Sequence, residues 1–91
     1  MPRRKGMRWI IIAFRSRAQT IKFYDFLQRN GVYSNIVNTP KEAGVGCGLS
    51  VKIREESFVP VKRAVFASGF KSFAGFFAVS DAGGRRIVKS I

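Results

Sequence analysis

The chain has 91 residues, with 46% apolar side chains, nine phenylalanines, one cysteine and no histidine. That length fits one domain with a modest core. A single cysteine excludes an internal disulfide framework and a multi-cysteine metal site, and the missing histidine excludes Ser-His and Cys-His catalysis within the chain. Seventeen Lys and Arg against five Asp and Glu give +12, and residues 9–80 alone carry ten bases against four acids, a net +6. The domain itself is therefore basic, a field that attracts RNA, acidic proteins or small anions.

Residues 1–7 read as a flexible basic segment, followed by a domain over 8–80 and a basic tail or short extra strand over 81–91. Residues 8–14, RWIIIAF, form an almost continuous apolar run, as expected of a strand buried on both faces. That run is too short to span a membrane, and Arg15 and Arg17 follow where a signal peptide would be cleaved. The expectation is a cytoplasmic protein in a reducing compartment, without membrane contact.

Ser16 is a fair N-cap and Gly31 a stop signal. Between them Ala18, Ile21, Tyr24 and Leu27 recur at three-residue steps, widened by Phe23 and Phe26, which predicts an amphipathic helix. Residues 32–37 predict a second strand. Pro40, Gly44 and Gly46 then mark a loop over 38–46. Residues 48–54 alternate, with Leu49, Val51 and Ile53 on one face and Ser50, Lys52 and Arg54 on the other, the pattern of a half-buried strand. Ser57 is placed to cap a second helix with Pro60 in its first turn and Gly69 at its end. Residues 73–79 predict a fourth strand. The fold class is α+β: a ferredoxin-like βαββαβ order, with a four-stranded antiparallel sheet and both helices on one face.

Chemistry concentrates at GVGCGLSV, residues 44–51. Gly44, Gly46 and Gly48 let the backbone approach a ligand, and successive amides there could form an anion-binding nest. Lys41 lies in the loop, and Lys52 and Arg54 lie on the strand behind it. Amides and cations of this kind lower a thiol pKa, and the thiolate is the reactive form. Cys47 is thus either a reactive thiol stabilised by these groups or a small apolar core filler. Glu55 and Glu56 are adjacent and make a poor acid/base pair. The glycines lack the G-x-G-x-x-G register of a dinucleotide site. No cofactor or metal is expected.

The segments Phe14-x-Ser16-x-Ala18, the helix stop at Gly31, Thr39-Pro40 and Cys47-Gly48-Leu49 resemble the small selenium/sulfur carrier-like domains, over roughly residues 8–80. The most specific part is Thr-Pro followed by Gly-Cys-Gly-Leu at this spacing. The resemblance implies that Cys47 carries the transferred sulfur or selenium as a persulfide-type adduct. It also implies a carrier rather than a catalyst, served by a donor enzyme and relieved by an acidic protein or tRNA acceptor. Lys22 and Tyr24 stand where such domains tend to be acidic, and the whole chain is more basic than they are.

The alternative is a basic RNA- or ribosome-associated module without chemistry. Phe73, Phe76 and Phe77 crowd the last predicted strand, and Trp9 and Tyr33 lie on others, as in sheets that stack RNA bases. Against this, GLSVKIR lacks the aromatic signature of such sheets. A third possibility is a subunit that uses its sheet to form a homodimer.

Overall fold

The computed structural model describes residues 8–44 and 48–91, with backbone only at Ala82. The elements run β1 (Arg8–Phe14), α1 (Arg17–Arg29), β2 (Ser34–Asn38), a 3₁₀ turn (Lys41–Ala43), β3 (Leu49–Arg54), a second 3₁₀ turn (Glu55–Ser57), α2 (Phe58–Ser68), β4 (Phe73–Ala82) and β5 (Arg85–Ser90). The strands form one antiparallel sheet in the order β2-β3-β1-β4-β5.

This corrects the expected four strands to five. Residues 85–90 are a strand because Gly83 and Gly84 take φ values of 59° and 77°. Two positive-φ residues make the tight connection whose twist matches a hairpin. β4 consequently continues to Ala82, beyond the expected end at 79, and pairs Val79 with Val88 and Ala82 with Arg85.

β1 is the central strand, flanked by β3 and β4, so its burial on both faces follows from its place. One face carries Ile10, Ile12 and Phe14, with Val51 and Ile53 from β3 and Phe76 and Ala78 from β4. Phe23 and Leu27 of α1 and Val61 and Val65 of α2 pack on this face. Eight of the nine phenylalanines join here in one chain of ring contacts. Phe14 lies 5.6 Å from Phe23, 5.7 Å from Phe70 and 6.1 Å from Phe73, and Phe73 lies 4.7 Å from Phe76. Edge-on and tilted aromatic pairs add to the area they bury.

The helix signals hold at α1, and at α2 Pro60 in the first turn and the Gly69 stop at φ 72° hold while the Ser57 cap does not. Ser16 Oγ accepts from the Gln19 amide at 3.2 Å, and Gly31 leaves the helix at φ 72°. The exit takes the Gly31 amide to the Gln28 carbonyl and the Val32 amide to the Leu27 carbonyl, so β2 begins at Ser34 and not at 32. Ser57 makes no side-chain cap to α2. It ends a 3₁₀ turn with φ −90° and ψ −2°, a helix-like backbone from which the side chain does not reach the orphan amides ahead.

Candidate functional site

The opposite sheet face carries Trp9, Ile11 and Ala13 of β1, Ser50, Lys52 and Arg54 of β3, and Phe77 and Val79 of β4. Neither helix contributes to the apolar cluster on this face. Ala43, from the loop between β2 and β3, packs there with Val37 and Val88. The same loop is tied to β5 by Arg86 Nη2 and Glu42 Oε1 at 3.3 Å.

The ends of that loop are fixed. Asn38 pairs with Leu49, and beyond this pair the Thr39 amide donates to the Gly48 carbonyl at 2.9 Å. The Thr39 and Ser50 hydroxyls are hydrogen-bonded at 2.6 Å, and Ser50 is fully buried. Cys47 is covalently next to Gly48, whose carbonyl forms this neck. Thr39→Val keeps the shape and leaves the Ser50 hydroxyl without Thr39. It is expected to lower stability by about 1–3 kcal/mol, read as a lower urea midpoint with an unchanged slope. An unmoved midpoint would show that the neck is held elsewhere.

Cys47 and Gly46 lie outside the described residues, so the expectations placed on them as thiol and amide are not addressed by the geometry. Gly44 adopts φ 63°, and its amide donates to the Lys41 carbonyl at 3.1 Å. Its contribution is therefore backbone freedom, because its N–H is already used within the 3₁₀ turn. Among the described residues, no atom lies within 4 Å of an ideal Cβ on Gly48. Lys41 is exposed at the start of the turn.

Lys52 and Arg54 stand apart from Gly48 along β3. At the rise of an extended strand they lie about 13 and 20 Å beyond Gly48, farther than the 8–10 Å or so over which salt leaves exposed charges in contact. Their partners are aromatic. Lys52 Nζ sits 4.8 Å from the Trp9 ring centre, and the Arg54 guanidinium carbon sits 4.4 Å from that of Tyr33. Sequence alternation puts Lys52 and Arg54 on one face. Only the register, which sets Trp9 opposite Arg54, brings the rings beside them.

The aromatic reading of β4 is also corrected. Phe73 and Phe76 belong to the cluster under the helices, and Phe77 is 8% exposed on the other face. None of the three offers an open ring to a base. Among the described residues, no group of three His, Cys, Asp or Glu could hold a metal ion, and no helix is long and apolar enough to cross a membrane.

The architecture is thus an α+β domain with Ala43 of the β2–β3 connection packed on its helix-free face, and the sole thiol of the chain belongs to that connection in sequence. The model of the family described as "Putative Se/S carrier protein-like" matches residues 9–71, from β1 through α2 and including the loop, and the chain belongs to that family. No curated protein and no solved structure matches it.

Proposed function

We propose that this protein is a small carrier that holds sulfur or selenium on Cys47 as a persulfide-type adduct. The observation that supports the reading is the family match across residues 9–71, which includes Cys47. In the loading step the Cys47 thiolate attacks the outer sulfur of a donor persulfide. The donor S–S bond breaks, its electron pair leaves on the donor thiolate, and a new S–S bond joins Cys47 to the transferred sulfur. The number of disulfide-type bonds is unchanged, so no external oxidant is needed. Selenium transfers by the same exchange.

The framework is read as ferredoxin-like, with the order β2-β3-β1-β4 extended by β5 at the β4 edge. A donor enzyme bearing its own persulfide supplies the atom. The +12 charge favours a polyanionic acceptor, an acidic protein or a tRNA. A reducing cytoplasm keeps the thiol free between cycles.

The test is intact-protein mass spectrometry after incubation with a low-molecular-weight persulfide. A gain of one chalcogen atom, removed by a thiol reductant and absent from Cys47→Ser, is the expected result. No reducible gain on the wild-type chain would refute the carrier reading.

A further inference from the structure

On the helix-free face, Arg8, Trp9, Tyr33, Lys52, Ile53, Arg54 and Asp81 line an open cleft of about 360 Å³. It lies at the end of β3 remote from Gly48. Two rings and two cations alternate across it, Lys52 over Trp9 and Arg54 over Tyr33. Tyr33 is 53% exposed, and Asn35 Nδ2 donates to its hydroxyl at 3.1 Å. Arg8 is engaged by Glu55 at 3.1 Å, and Asp81 is the acidic member of the lining. Among the described residues, Lys52 and Arg54 are the cations of the cleft that lie over rings and form no carboxylate bond.

We propose that this cleft binds single-stranded RNA, with bases stacking on Tyr33 and Trp9 while Lys52 and Arg54 move from the rings to the adjoining phosphates. A cation over an exposed ring contributes less than a stacked base, so the exchange runs towards the strand, and each displaced cation gains a phosphate. The ligand must supply a planar ring and a negative charge at every repeat. An acidic peptide supplies charge without the rings. A duplex keeps its bases stacked inside, out of reach of a cleft this size. The net charge of the chain adds long-range attraction. The site is independent of Cys47 chemistry.

Trp9 is the only tryptophan, so its emission reports directly on the cleft. The experiment titrates the full chain with a short single-stranded RNA of mixed sequence and follows Trp9 fluorescence across a range of salt. Binding should quench the emission. Tyr33→Leu, an exposed position whose loss leaves the core intact, should weaken binding about 10-fold at constant salt dependence. Lys52→Gln with Arg54→Gln should reduce the slope of log K against log salt by about 1.4, or about 0.7 for each phosphate that is no longer neutralised. Cys47→Ser should bind as the wild type does, which separates failure of this site from failure of the carrier chemistry. RNA binding without Trp9 quenching, unaffected by these substitutions, would place the RNA on the basic segments elsewhere and overturn the proposal. Absence of binding at physiological salt would overturn it equally.

Discussion

Phe14→Ala is expected to destabilise the domain by about 3–5 kcal/mol, the usual cost of deleting a buried aromatic ring. A chain of this length has a total stability of only about 5–14 kcal/mol, so the variant should lose between about a fifth and all of it. The reason is position. Phe14 is fully buried and meets Phe23 of α1, Phe70 of the turn after α2 and Phe73 of β4, so one ring joins both layers of the fold. Little can collapse into the space. Immediately beyond it the Arg15 amide donates to the Ser72 carbonyl at 2.7 Å, and Gln19 Oε1 accepts from the Ser72 amide and hydroxyl at 3.1 and 2.6 Å. These bonds fix the backbone around the site of deletion and limit relaxation. Urea denaturation checks this. A loss below about 1 kcal/mol, the scale of a surface substitution, would mean that the aromatic cluster is not the centre of the core.

Cys47→Ser is expected to abolish chalcogen loading completely. The effect is all-or-none because the chain has one thiol and no second residue able to take its place. A serine hydroxyl remains protonated at neutral pH and does not exchange with a persulfide, whereas even an ordinary thiol is a few per cent thiolate there, from a pKa of about 8.5. Lys52 and Arg54 are cation–π partners of Trp9 and Tyr33 at the far end of β3. Loading is therefore expected to be indifferent to Lys52→Gln and Arg54→Gln. Loading by Cys47→Ser would require a different acceptor and end the account of the thiol.

Much of the fold was legible where one local signal acts alone. Ser16 and Gly31 bracket α1 because a cap and a positive-φ stop are local devices. The alternation of Leu49, Val51 and Ile53 marks β3 because only one of its faces is apolar. The fifth strand was open to two readings because RRIVKS is a charged edge, five of its six residues exposed, with no strong apolar period to reveal it. Ser57 misled because the cap residue was right and the backbone ahead of α2 was not: Glu55–Ser57 turns as 3₁₀ first. Period two sets Phe73 with Phe77 and Phe76 opposite them; the register shift between Ala13 and Phe14 instead brings Phe73 to the Phe76 face, under the helices. The cleft of Trp9, Tyr33, Lys52 and Arg54 needed strand register, which is set by the pairings of β3 with both β1 and β2.

A carrier must release what it accepts, and that is the property to measure. The protein, loaded with sulfur from a low-molecular-weight persulfide and freed of excess donor, is mixed with an acceptor thiol and followed by intact mass. The account predicts that the adduct leaves within the exchange time, that the acceptor gains the sulfur, and that Cys47 returns to a free thiol able to load again. An adduct that stays on the protein, or a chain that never loads, would contradict it.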